Sequence, residues 1–128
     1  MADTGPLYAL AMRRDALHER AREELSVLKR EHGLVISTSN LLEAQSLLLR
    51  RETPAFVNRY VTALVKSNDL INPSTEDVLR AQALLGRFED QHISLFDAVL
   101  AVLSETLDVA VWTFDADFDV MRTEVWRA

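Results

Sequence analysis

Three short apolar runs punctuate the chain: "LVIS" at Leu34–Ser37, "DLIN" at Asp69–Asn72 and "VAVW" at Val109–Trp112. Stretches long enough for one or two helices separate them, and a tail, "TEVWRA", offers a last short strand. Strands joined through helices pair in parallel, and a parallel sheet is covered on both faces. The chain is therefore read as α/β, a three-layer α/β/α arrangement around a short central parallel sheet. In such sheets ligands lie beyond the carboxyl ends of the strands, which directs attention to the residues after each run.

The intervening segments carry helical signals. "RRDALHERAREELSVLKREHG" places Leu17, Ala21, Leu25 and Leu28 on one face, with Gly33 positioned to end it. A second helix is expected from Asn40 in "NLLEAQSLLLRR", and a third opens at Pro54, a residue tolerated in a first helical turn. Ser74 and Asp77 suggest a capping box for a helix reaching about Phe88. "SLFDAVLAVLSETL" is apolar nearly all round, so it should be buried between neighbours.

With 128 residues, the chain is expected to form one domain, 1–128. A net charge of −6 discourages non-specific attraction to nucleic acid or anionic lipid, so an RNA partner would need a local basic patch. No run of about 18 apolar residues suggests a membrane span, and "MADTGPLYAL" lacks signal-peptide character. A cytoplasmic protein is the expectation. Without cysteine there are no disulfides and no thiolate zinc sites.

The segment "WTFDADFDVM" sets Asp115, Asp117 and Asp119 directly after an apolar strand. Glu43 comes after the "LVIS" strand on its helix, Asp97 lies in the first turn of the apolar helix, and Asp3 precedes Thr4, Gly5 and Pro6. Each acid has an ordinary helix-start role available. Glu43 can complete a capping box with Asn40, Asp97 can do so with Ser94, Asp3 can cap the next helix and Asp115 the short turn at Ala116. Taken together at one sheet edge, Asp3, Glu43, Asp97 and Asp115 would repel one another unless a divalent cation compensated. Magnesium or manganese suits such an oxygen-rich set.

Two other readings of "DADFD" fail on position. A haloacid-dehalogenase-type phosphatase opens its catalytic domain with Asp-x-Asp, whereas only eleven residues come after Asp117 here. An EF-hand loop needs Gly sixth and Glu twelfth, where this chain has Val120 and Trp126.

The segments "ADTGPLYAL", "STSNLLEAQSLLLR" and "RFEDQHISLFDAVLAVLSETLDVAVWTFDADFD", in that order, resemble the PIN-domain family, particularly the single-domain VapC-type toxins of toxin–antitoxin pairs. By that resemblance Asp3, Glu43, Asp97 and Asp115 match the family's acidic quartet, Thr4 and Thr113 stand beside it, and Asp117 is an auxiliary ligand. The resemblance implies a Mg²⁺- or Mn²⁺-dependent endoribonuclease. It also implies a short central strand before the first Asp. Only Met1 and Ala2 precede Asp3, so a truncated first strand is expected, with neighbouring backbone groups unpaired and Asp3 loosely held. The alternative is a catalytically weak or inactive PIN-like protein that binds protein or RNA.

The remaining signals are less specific. Arg13, Arg14, Arg50, Arg51 and Arg59 either flank the acidic cleft or decorate solvated helices. Trp112 and Trp126 suit core packing, and His18, His32 and His92 suggest surface or capping roles. The resemblance further implies a small antitoxin laid over the early helices and reaching toward the acidic pocket. Leu7, Tyr8, Leu10 and Leu17 would form its groove, or a homodimer face, unless they fill the chain's own core.

Overall fold

A computed structural model describes all 128 residues, Met1–Ala128. Its elements run α1 (Thr4–Ala11), α2 (His18–Glu31), β1 (Val35–Ser37), α3 (Thr38–Leu48), α4 (Pro54–Ser67), β2 (Asp69–Ile71), α5 (Thr75–Leu85), α6 (Leu95–Leu107) and α7 (Asp117–Val120). β1 and β2 pair in parallel, with Ile36 opposite Leu70. Single parallel bridges extend the sheet from Ile36 to Ala2, from Ala2 to Trp112, and from Val111 to Val125. The order across the sheet is therefore β2, β1, Ala2, Val111–Trp112, Val125. The "VAVW" run contributes two bridging residues rather than a full strand, and the tail contributes one.

Met1–Asp3 occupies the middle of this sheet. Ala2 N donates to Val35 O at 2.9 Å, Asp3 N to Trp112 O at 2.9 Å, and Trp112 N to Met1 O at 2.7 Å. The first strand is as short as expected, but its neighbours are not left unpaired. Hydrogen bonding on both sides holds it, so Asp3 is buried, at 5% exposure, rather than loose.

Alternation along the sheet builds two faces, as extended backbone dictates. Met1 and Val111 face α5 and α6, packing with Ala81, Leu100 and Phe118. Ala2, Ile36 and Trp112 face α1 and α2, packing with Leu7, Ala21 and Leu28. This is the three-layer arrangement the alternating runs predict. α6 buries every residue from Ala98 to Ser104, in keeping with its nearly uniform apolar sequence.

Some boundaries move. α3 begins at Thr38, with Ser37 at its N-cap, so Asn40 and Glu43 lie inside the helix and form no capping box. α2 ends with His32 as C-cap, one residue before Gly33. The Ser74–Asp77 capping box is complete, although α5 stops at Leu85 and Gly86 is its C-cap. No helix is long and apolar enough to cross a membrane.

Candidate metal centre

Asp3 is placed by the central strand and caps α1: its Oδ1 accepts from Thr4 N at 2.7 Å. Its Oδ2 accepts from Thr113 Oγ1 at 2.7 Å. The same Thr113 oxygen accepts from Asp115 N at 2.9 Å, and Asp115 Oδ1 accepts from Asp117 N at 2.9 Å. Asp97 sits in the first turn of α6, where Ser94 Oγ accepts its backbone N–H at 3.2 Å. The cap readings of Asp3 and Asp115 hold alongside their convergence, through Thr4 N and Asp117 N, whereas at α6 only half of the expected capping box forms: Ser94 caps the Asp97 N–H, and the Asp97 carboxylate returns no bond to the Ser94 N–H.

Asp3, Thr4, Glu43, Asp97 and Asp115 line one cleft of about 520 Å³ at the carboxyl ends of the strands. Asp15 joins them from the connector between α1 and α2. Five carboxylates line this space, with no Lys, Arg or His among its walls. Carboxylate oxygens of Asp97, Asp115 and Asp117 come within 4.8 Å of one another. Asp3 and Glu43 stand outside that tight trio, on the cleft wall.

Burial and mutual repulsion disturb these acids. Asp3 is pushed up to about 6, first by desolvation, against the lowering hydrogen bonds from Thr113 and Thr4, with Asp115 and Glu43 adding repulsion. Asp97 rises to about 7, again first by desolvation and then by the charges of Asp3 and Asp115. Asp117 is raised by desolvation and by Asp115.

Two residues escaped the sequence reading. Asn40 is fully buried; its Nδ2 donates to Thr4 Oγ1 at 3.0 Å and more weakly to Asp3 Oδ1 at 3.4 Å. Its Oδ1 has no hydrogen-bond partner. The only cue in the sequence was "TSNLLE", where Asn40 passed for a cap. Asp15 had no signal beyond its charge.

Expected contacts elsewhere are partly redistributed. Leu7 is core, Tyr8 and Leu17 line the acidic cleft, and Leu10 lines a separate groove of about 660 Å³ with Arg13, His18, Arg22, Phe56 and Tyr60. Arg13, Arg14, Arg50, Arg51 and Arg59 are exposed, and none lines the acidic cleft. His18 is buried at 8% exposure, its Nδ1 2.8 Å from Ala9 O, contrary to a surface role. Trp112 is core, as expected.

The profile of the PIN domain family matches residues 1–124, and the chain belongs to that family. A search of curated protein sequences gave no significant match. Among solved structures, the fold is similar to Mycobacterium tuberculosis VapC20, a sarcin–ricin loop cleaving toxin, with TM-score 0.86 and 21% identity over 99% of this chain and 98% of that one. VapBC2 from Rickettsia felis, bound to a DNA fragment from its promoter, matches with TM-score 0.79 and 14% identity over 99% and 96% of the two chains. VapBC-1 from nontypeable Haemophilus influenzae gives TM-score 0.72 and 18% identity over 99% and 95%.

Proposed function

We propose that this chain is a metal-dependent endoribonuclease, the toxin of a toxin–antitoxin pair, hydrolysing RNA phosphodiester bonds with carboxylate-held Mg²⁺ or Mn²⁺. The observation that carries the reading is the cleft itself: five carboxylates without a single cationic side chain among them. Such a set is electrostatically incomplete until a cation enters it. The all-oxygen donors suit a hard divalent ion.

Asp97 and Asp115, with Asp3, would be the principal ligands, Asp117 an auxiliary one, and Glu43 a direct ligand or the group that orients a coordinated water. When bound, the ion supplies a lowered water pKa and positive charge for an in-line displacement at phosphorus. The chain's own residues do the positioning. Thr113 holds the Asp3 carboxylate through Oγ1 and at the same time fixes the Asp115 backbone. Thr4 and Asn40 hold the other Asp3 oxygen through the Thr4 amide and the Asn40 Nδ2. The paired Met1–Asp3 segment removes the reason to expect a loosened Asp3, and with it the main support for a catalytically weak binding module.

An antitoxin partner is supported by two of the similar folds being VapBC proteins. The groove lined by Leu10, Arg13, Glu19, Arg22, Phe56 and Tyr60 offers it an apolar floor with edges of mixed charge beside the early helices, Arg22 being paired with Glu19. Substrate choice starts from the similarity to a sarcin–ricin loop cleaving toxin.

The test is cleavage of labelled structured RNAs, a sarcin–ricin loop hairpin included, in Mg²⁺, Mn²⁺ or EDTA, comparing the chain with Asp97→Asn. Metal-dependent cuts that the variant lacks are expected. A folded chain that cuts no RNA with either ion, or cuts equally well in EDTA, would overturn the reading.

A further inference from the structure

From the structure we infer that Arg20 and Glu24 of α2 are positioning residues that clamp the Trp112–Asp115 segment and so set the geometry of the acidic cleft. Glu24 is largely covered, its side chain 12% exposed, and it makes two directional contacts. Its Oε2 accepts from Trp112 Nε1 at 2.6 Å, and its Oε1 accepts from Arg20 Nε at 2.8 Å. The Arg20 guanidinium lies 4.7 Å from the centre of the Phe114 ring. Phe114 in turn meets Trp112 edge-on, with centroids 6.3 Å apart and planes at 79°. Helix α2 therefore grips alternate residues of the segment, Trp112 and Phe114. The residues between and after them, Thr113 and Asp115, carry the hydrogen bonds of the cleft.

Packing alone does not call for a carboxylate in this place. A covered Glu is costlier to desolvate than an aliphatic residue, whereas its charge-assisted hydrogen bonds fix distance and direction. Truncating it would leave the Trp112 N–H, which belongs to a core side chain, without its acceptor. The segment also needs outside support: beyond Trp112 the sheet pairing stops, because Asp3 N→Trp112 O is the last backbone bond to the central strand. Thr113 and Asp115 project past the ladder, and the Arg20–Glu24 pair holds the two aromatic residues that flank Thr113. The consequence for metal binding rests on the nuclease reading; the mechanical coupling of α2 to the turn does not.

The experiment measures two quantities on the full chain: amide hydrogen exchange at Thr113–Asp115, with the α6 amides as internal reference, and affinity for Mn²⁺ alone by electron paramagnetic resonance of the free ion. Glu24→Ala and Trp112→Phe are each expected to speed exchange at Asp115, whose N–H is held by Thr113 Oγ1, while leaving α6 unchanged. Each should weaken Mn²⁺ binding about ten-fold, as loss of supporting contacts around metal ligands does. Glu24→Gln keeps an acceptor for Trp112 Nε1 and should recover part of both quantities, whereas Glu24→Met, of similar length but without that acceptor, should recover neither, which a nonspecific packing role would not predict. If Glu24→Ala does not fold, Trp112→Phe, which deletes the donor and keeps an aromatic ring, is read in its place. Wild-type exchange at Asp115 in a folded variant would overturn the clamp. Failure of the wild-type chain to bind Mn²⁺ would instead overturn the nuclease reading, and the exchange comparison would then decide the clamp alone.

Discussion

At the scale of single residues, the cleft is a set of carboxylates held together against their own repulsion. Asp97 is pushed up to about 7, further than Asp3 at about 6. Asp97→Asn removes one of these charges while keeping the shape, so cleavage is expected to fall at least about a hundred-fold in a fixed-metal RNA assay. Asn40 offers the converse change. Asn40→Asp is nearly isosteric but places a new carboxylate 3.4 Å from Asp3 in a fully buried position. It should destabilise the metal-free chain by about 3 kcal/mol in urea unfolding, with part of the loss recovered in Mn²⁺. A neutral result in the absence of metal would sink the electrostatic account of this corner. Asp3, Asp97 and Asp115 were legible in the sequence because each opens a helix or follows an apolar run, whereas Glu43, expected in a first turn, lines the cleft from inside α3. Asn40 was not, since its meaning comes from partners 36 and 37 residues away.

Elements differ in how much of them a sequence can show. α6 was legible from end to end, because its apolar residues bury locally whatever the register of the sheet. Leu100, fully buried at its middle, should lose about 2–5 kcal/mol on Leu100→Ala by the same unfolding measurement. The C-cap of α6 is Asp108, whose φ of 53° and ψ of 49° lie in the left-handed region. Asp108→Gly should therefore stabilise the chain by about 0.5–1 kcal/mol, since glycine adopts that conformation without the Cβ clash. A destabilised Gly variant would mean that the Asp108 side chain has a role beyond the backbone. Strands were legible only in position. "VAVW" predicts a strand, but only Val111 and Trp112 bridge to neighbours, because ladder length depends on how far the distant partners Met1–Asp3 and Glu124–Trp126 extend. The same non-locality hid the pairing of Met1–Asp3, since the two residues before Asp3 were too few to read as a strand.

For the whole molecule, the cleft links folding to both pH and metal. Asp3 and Asp97 bind protons more tightly folded than unfolded, at about 6 and about 7 against an ordinary 3.8. Their contribution to stability is therefore complete below about pH 4 and is lost as pH rises through 6 and 7. The Met1 amine acts oppositely: burial lowers it from 8.0 to about 6, so its contribution is present above pH 8 and lost as pH falls toward 6. A pH scan of the metal-free chain sums these opposing trends, but a divalent ion separates them, because it competes with protons only at the carboxylates. Mn²⁺ should raise the melting temperature more at pH 8 than at pH 5, and EDTA should reverse the rise. At a free-ion concentration about 100 times Kd the stabilisation is about 2.7 kcal/mol, or on the order of 10 °C for a chain of this size. Asp97→Asn should melt higher than the wild-type chain in EDTA at pH 8 and lose most of the Mn²⁺-induced shift. An equal shift at both pH values would place the bound ion away from Asp3 and Asp97. No shift at either would mean that the five acids of the cleft are balanced by something other than a divalent cation.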